Sequence, residues 1–177
     1  MRYITIGVLL LAGSIAHITL QANPNQQTEQ KRDPASQPHA GESGCRPQAQ
    51  LTQASFEGVM RTIQNSWSEG NAQAAAECFN EDAIFSAPAA SGRRGRKDLY
   101  RYFGGDTKSE LKRQIEWHHL VFDPARQIGA AEYTLHYHLQ SHGVVMVKID
   151  RGLISNWREY PVASDLSWDR FVGPNAF

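Results

Sequence analysis

The sequence of 177 residues has only two cysteines and no surplus of charge of either sign. Two cysteines are too few for a disulfide scaffold or a zinc finger. Lysine and arginine together number 18, as do aspartate and glutamate, so the chain lacks the broad positive surplus of a general nucleic-acid-binding protein. The sequence also has no glycine-rich phosphate loop, no nucleophile elbow and no Cys-His nucleophile pair, and no cofactor is predicted.

The N-terminus carries the one long apolar run of the chain. Arg2 is the only charged residue before an apolar segment over residues 4–15, which is the layout of a secretory signal. We predict a signal peptide over residues 1–22, cleaved near residues 16–22, and export to the periplasm or the exterior. The alternative is an uncleaved anchor, and only in that case is the membrane a predicted partner.

Residues 23–51 are rich in Gln, Pro, Ser, Gly and charge, and they are predicted to form a disordered linker before a single domain over residues 52–177. The linker contains Cys45, whereas Cys78 lies in the domain. In an oxidising compartment the two are able to pair and attach the linker to the domain. The alternative is a free Cys45 and a Cys78 that packs as a small core residue.

The first part of the domain has helical periodicity. Thr52 and Gly70 are the predicted cap and end of a first helix, and Asn71 is the predicted cap of a short second one. A brief strand over residues 83–85 and a third helix over residues 96–103 follow. The apolar stripe of the first helix consists of Phe56, Val59, Met60, Ile63 and Trp67.

The periodicity then changes to alternation, which is typical of strands. Turn residues at 123–124, 141–143 and 150–152 separate the alternating segments. The short connections predict an antiparallel, curved meander, and helices followed by strands predict an α+β domain with the helices on one face of the sheet. The predicted strands are 115–122, 128–139, 144–149 and 153–160.

Three segments carry a resemblance to a known family: NEDAIF at 80–85, GRKDLYRYF at 95–103 and RGLISNWREY at 151–160. In their order and spacing they resemble the SnoaL-like branch of the nuclear transport factor 2 superfamily. The resemblance implies a cone-shaped α+β fold with a curved antiparallel sheet, a blind apolar pocket and frequent dimers. It implies no single reaction, because members include isomerases, cyclases, dehydratases, epoxide hydrolases and non-catalytic binding proteins.

Glu159 lies where such enzymes often carry an acidic residue. It shares a strand face with Trp157, and a carboxyl in an apolar pocket has a raised pKa that suits acid-base chemistry. The alternative is a surface pair with Arg158. The epoxide hydrolases of the superfamily use an arginine and an aspartate where this chain has Tyr133 and Leu135, which counts against epoxide hydrolysis.

Five histidines fall between residues 118 and 142, namely His118, His119, His136, His138 and His142. If residues 128–139 form one strand, His136 and His138 project on the same side, a spacing that suits two metal ligands. Paired with a carboxylate, they also suit acid-base catalysis. The alternative is a set of structural hydrogen bonds. His136 and His138 are therefore candidate catalytic residues beside Glu159, and no metal site is predicted.

Two further segments have alternative interpretations. The basic cluster of residues 93–101 either attracts an anionic ligand or is a solvated loop. The apolar residues of segment 164–171 cap the mouth of the cone, form a dimer seam or pack in the core. The basic cluster contains Arg93, Arg94, Arg96, Lys97 and Arg101, and the apolar residues are Leu166, Trp168 and Phe171.

The sequence thus predicts an exported, homodimeric SnoaL-like domain that binds a small, mostly apolar molecule, with isomerase-, cyclase- or hydrolase-type acid-base chemistry as its candidate activity. The alternative is a non-catalytic dimeric interaction module whose pocket is filled by its own side chains. Aromatic and aliphatic residues at inward positions are the predicted ligand-binding set, namely Trp67, Tyr100, Trp117, Tyr133, Leu135 and Trp157.

Overall fold

The computed structural model describes residues 45–88, 90–107 and 112–175. The predicted signal peptide and the predicted linker up to residue 44 lie outside the described residues. Within the described ranges, no helix is long and apolar enough to cross a membrane.

The helices begin and end where capping chemistry predicts. The Thr52 hydroxyl accepts a hydrogen bond from the Ser55 amide at 3.2 Å, and Gly70 ends the first helix with a φ of 74°, which suits glycine. The Asn71 side chain accepts a hydrogen bond from the Ala74 amide at 3.0 Å. The helices are α1 (Gln53–Glu69), α2 (Ala72–Glu77), α3 (Arg96–Tyr102) and α4 (Trp168–Val172), followed by a 3-10 turn (Gly173–Asn175).

Six strands form one curved sheet against the helices, so the predicted α+β architecture is confirmed. Their order is β2-β1-β6-β5-β4-β3. All neighbours pair antiparallel except β1 and β6, which pair parallel, so the sheet is mixed rather than purely antiparallel. The strands are β1 (Phe79–Ala87), β2 (Ala90–Arg94), β3 (Gln114–Asp123), β4 (Ile128–His136), β5 (Gln140–Asp150) and β6 (Leu153–Ala163).

The turn between β4 and β5 differs from the prediction. The sequence predicts a turn at residues 141–143, but β4 ends at His136 and β5 begins at Gln140. Gly143 lies inside β5 opposite Tyr133. A Cβ atom at position 143 would lie 2.8 Å from the Tyr133 hydroxyl oxygen. Gly143 therefore makes room for a tyrosine and does not mark a turn.

The core lies between the helices and one face of the sheet, which we call the inner face. The Phe56 ring of α1 stacks on Phe122 of β3, with centroids 4.7 Å apart. The indole nitrogen of Trp117 donates a hydrogen bond to the Met60 carbonyl at 3.1 Å. These contacts fix α1 across the inner face.

The segment before α1 also belongs to the domain. Cys45 and Cys78 form a disulfide bond, so the structure has the paired alternative. Leu51 is 1% exposed, and its amide donates to the Gln127 side-chain oxygen at 2.8 Å. Residues 45–51, predicted as the end of the linker, therefore belong to the folded domain, because they carry a disulfide-bonded cysteine and a leucine side chain that packs in the core.

The C-terminal segment packs on the opposite, outer face of the sheet. The Trp168 ring stacks on His118 with centroids 4.0 Å apart, and Phe171 lies 4.5 Å from His142. His142 is fully buried by this segment. Residues 164–171 therefore pack within the domain, which is one of the three alternatives stated for this segment.

Candidate functional site

A cavity of about 270 Å³ opens on the inner face of the sheet, and we call it the central cavity. Its wall combines aromatic rings, one aliphatic side chain, one carboxyl and one guanidinium. This composition is typical of sites for small organic molecules, at the lower end of their usual size. The lining residues are Trp67, Phe85, Tyr102, Arg113, Leu135, Tyr137 and Glu159.

Among the described residues, Glu159 is the one acidic residue of this wall. It follows Trp157 on β6 by two residues, so both point to the inner face. The Trp157 indole nitrogen donates a hydrogen bond to the Glu159 carboxyl oxygen at 3.3 Å. Burial raises the pKa of Glu159 above its ordinary value, against the smaller opposing effects of Trp157 and the Arg113 charge. A carboxyl in this setting suits proton transfer near neutral pH.

Arg113 is held by aromatic rings at the edge of the central cavity. Its guanidinium carbon lies 4.3 Å from the Tyr102 ring centroid and 4.9 Å from that of Tyr137. One guanidinium nitrogen also donates to the Tyr102 carbonyl at 3.0 Å. Cation-π contact and this hydrogen bond fix the charged group in one place.

Two buried polar atoms near the cavity have no hydrogen-bond partner among the described residues: the Trp67 indole nitrogen and the Tyr133 hydroxyl. Their residues are 4% and 1% exposed. Burial raises the pKa of Tyr133, and the Glu159 charge adds to this effect, so Tyr133 is neutral at physiological pH and able to donate a hydrogen bond. Unpaired buried polar groups cost free energy.

The structure distributes the predicted ligand-binding residues over three positions. Trp67 and Leu135 line the central cavity. Tyr133 and Trp157 lie in the core beside Glu159, and Trp117 lies 6.2 Å from Trp157 between ring centroids.

Tyr100 lies elsewhere, because its hydroxyl donates to the Gly105 carbonyl at 2.6 Å. Tyr102, two residues later on α3, is the tyrosine on the cavity wall.

None of the described histidines lines the central cavity, although the His138 ring contacts Tyr137 of its wall at 4.2 Å between ring centroids. His136 is the last residue of β4 and His138 lies in the following turn; both are exposed and do not share a strand face. His119 pairs with Glu132 at 2.7 Å. Within the described ranges, no group of three or more His, Cys, Asp or Glu side chains is placed to hold a metal ion.

His118 and His142 are joined through Thr134, whose hydroxyl oxygen lies 2.7 Å from His118 Nε2 and 2.9 Å from His142 Nδ1. His142 Nε2 lies 2.9 Å from the Leu166 carbonyl, to which it donates. Burial lowers the pKa of His118. This network attaches the C-terminal segment to the sheet, which is the structural alternative stated for the histidines.

Tyr137 was expected on the side of the predicted strand 128–139 that lines the cone, whereas Arg113, Phe85 and Tyr102 were not predicted as lining residues. Arg113 carried a usable signal, since it continues the alternation of Ile115 and Trp117, whose side chains face the core. A charged residue at an inward position is unusual and points to a site.

Comparisons with known proteins find no matching family model and no matching curated protein. Solved structures do match. Their likeness shows that the chain has a cystatin-like α+β fold. A protein of unknown function with a cystatin-like fold from Methylobium petroleophilum has a TM-score of 0.57 at 23% identity, over 67% of this chain and 83% of that one.

Two further neighbours have TM-scores of 0.51 at 18% identity. An NTF2-like protein of unknown function from Cytophaga hutchinsonii is covered over 92% of its length and 64% of this chain. A putative ketosteroid isomerase from Kribbella flavida is covered over 78% of its length and 62% of this chain. At these identities the similarity establishes the fold, and function has to be argued from the site.

Proposed function

We propose that the chain is an exported SnoaL-like protein that binds a small, mostly apolar organic molecule in the central cavity and transfers a proton on it through Glu159. The observation that carries the proposal is a partly buried carboxyl on the wall of a mainly aromatic cavity that also contains the Arg113 guanidinium. The fold shared with a putative ketosteroid isomerase supports isomerase-type chemistry. The Cys45–Cys78 bond supports export, since disulfides persist in oxidising compartments.

The chemistry assigned to Glu159 is removal of a proton from carbon next to a carbonyl group. The C–H bond breaks, the proton passes to the carboxylate, and the electron pair moves to the carbonyl oxygen as an enolate. Return of the proton to the same or another carbon completes exchange or isomerisation.

The test uses 2-tetralone, a small apolar ketone with acidic α-hydrogens, in D₂O. NMR follows both its binding, by saturation transfer, and the exchange of its α-hydrogens for deuterium. We expect the protein to bind the ketone and accelerate exchange. Glu159→Gln should retain binding and lose the acceleration, whereas Glu116→Gln, an exposed carboxyl on β3, should change neither. Binding without accelerated exchange would contradict the catalytic role of Glu159.

A second proposal concerns the predicted homodimer. We propose that the outer face of the sheet is the self-association surface, because large apolar side chains are exposed there on three neighbouring strands. Val121 is 62% exposed and Met146 42%, and a groove of about 430 Å³ runs beside Val144. Exposed apolar patches of this kind are typical of protein interfaces.

Light scattering after size exclusion tests this surface. We expect a dimer for the wild-type protein and a monomer for Val144→Lys, while Leu139→Lys, in the β4–β5 turn, should remain dimeric. A monomeric wild-type protein would contradict the proposal. The same surface favours the alternative of an interaction module, but the central cavity argues against the closed pocket of that alternative.

A further inference from the structure

Arg113 stands out because its half-buried guanidinium lies among aromatic rings and has no ion-pair partner among the described residues. Within the described ranges, no carboxylate oxygen lies within the 4.0 Å of an ion pair with its guanidinium. One hydrogen bond, to the Tyr102 carbonyl, joins it to the described residues. A guanidinium has five N–H donors in a planar fork that matches a carboxylate. Most of this donor capacity remains for a ligand.

The ring contacts hold the guanidinium in a fixed orientation. Tyr102 and Tyr137 are the nearest rings, and Phe103 and Trp67 lie 5.6 and 5.7 Å away between ring centroid and guanidinium carbon. A charged group that is already ordered loses little entropy on binding an anion. The site is therefore prepared for a ligand before the ligand arrives.

Arg113 also lies between two cavities. It lines the central cavity and a second cavity of about 160 Å³, which we call the side cavity. Lys112 and Arg101 also line the side cavity, and Arg101 is paired with Asp106 at 3.3 Å. The chain as a whole carries no net charge, so Lys112 and Arg113 form a local concentration of positive charge beside the central cavity. Such a concentration attracts anions into a cleft.

We infer that Arg113 is a carboxylate-binding residue and that the ligand of the central cavity is a small apolar carboxylic acid. The apolar body of the acid lies against Trp67 and Leu135, and its carboxylate is held by the Arg113 fork. This inference rests on the proposed function, and it specifies the substrate class. Arg113 and Glu159 line the same cavity, so a ligand held by the Arg113 fork lies in the cavity that contains the proposed acid-base group.

The experiment compares two probes of nearly equal shape, 2-naphthoate and the neutral 2-naphthamide. Isothermal titration calorimetry measures both dissociation constants for the wild-type protein, Arg113→Met, Arg113→Lys and Arg158→Met. Arg158 is an exposed arginine on the outer face of β6 and serves as the matched control.

We expect the wild-type protein to bind 2-naphthoate about 10- to 100-fold more tightly than 2-naphthamide, as is usual for a hydrogen-bonded charge pair. Arg113→Met should remove this preference and leave 2-naphthamide binding unchanged. Arg113→Lys should keep a reduced preference, because it retains the charge and loses the fork. Arg158→Met should behave as the wild-type protein.

Equal binding of both probes by the wild-type protein would overturn the carboxylate-binding role and leave the proposed function standing. Binding of neither probe, when 2-tetralone binds, would also overturn it. Binding of none of the three molecules would overturn the ligand-binding function itself. If circular dichroism shows that Arg113→Met is unfolded, the wild-type preference together with Arg113→Lys decides the question.

Discussion

The Cys45–Cys78 bond is predicted to supply a large share of the folding stability of this domain. It joins residues separated by 33 positions. In the chain-entropy relation, closing a loop of this length destabilises the unfolded chain by about 3.7 kcal/mol at 25 °C. For a domain of about 130 residues, the loss of that amount lowers the melting temperature by roughly 13 °C.

Other contacts of the N-terminal segment remain when the bond is broken. The Gln127 side chain accepts from the Leu51 amide and donates to the Leu51 carbonyl at 3.0 Å, and the Gln48 amide donates to the Arg151 carbonyl at 3.1 Å. We therefore expect the reduced protein to keep its fold at 25 °C and to lose stability rather than architecture.

Urea unfolding followed by circular dichroism, with and without a phosphine reductant, measures the effect. The free energy of unfolding should fall by about 4 kcal/mol on reduction, and the double variant Cys45→Ser, Cys78→Ala should show a similar loss with no response to reductant. A reduced wild-type protein with an unchanged urea midpoint would refute the reasoning. A response of the double variant to reductant would show that the reductant acts elsewhere.

Three further substitutions test packing and electrostatics. Gly129→Ala should lower the free energy of unfolding by about 1–3 kcal/mol, because the added Cβ would lie 2.3 Å from the buried Phe56 ring. Gly58→Ala should raise it by about 0.5–1 kcal/mol, because the space around that Cβ is open. Urea unfolding measures both changes. As pH rises through the ordinary glutamate pKa of 4.5, the unfolded chain loses the Glu159 proton before the folded one does, so the wild-type protein should lose stability relative to Glu159→Gln up to the raised pKa of the folded state. A stability difference between these two proteins that is constant from pH 4 to 7 would contradict the burial of Glu159.

Most of the correct fold predictions came from patterns of residues that are close together in the sequence. The stripe from Phe56 to Trp67 and the caps at Thr52 and Gly70 define α1, because helix periodicity and capping are properties of neighbouring residues. The parallel pairing of β1 with β6 was not predicted, since it joins segments about 70 residues apart. Gly143 was misread as a turn residue, because the need for a glycine there comes from Tyr133 on the neighbouring strand β4 and not from the local sequence.

The site was predicted in part. The alternation along the strand placed Trp157 and Glu159 on one face, and the Trp157 indole does donate a hydrogen bond to the Glu159 carboxyl. Arg113 was missed because a single arginine before a strand has no pattern of its own, and its role depends on Tyr102 and Tyr137 from other elements. The prediction that His136 and His138 share a strand face was wrong, because β4 ends at His136 and residues 137–139 form the turn.

Arg113 and Glu159 make ligand binding and protonation interdependent. The Arg113 charge holds the pKa of Glu159 lower than burial alone would set it. A carboxylate bound to Arg113 offsets that charge, so the pKa of Glu159 must rise and the carboxyl must take up protons. Calorimetric titration with 2-naphthoate in buffers of different ionisation enthalpy should therefore show proton uptake, which Glu159→Gln abolishes and 2-naphthamide does not produce. Binding of 2-naphthoate with no buffer dependence across pH 5 to 8 would mean that its carboxylate does not bind beside Glu159.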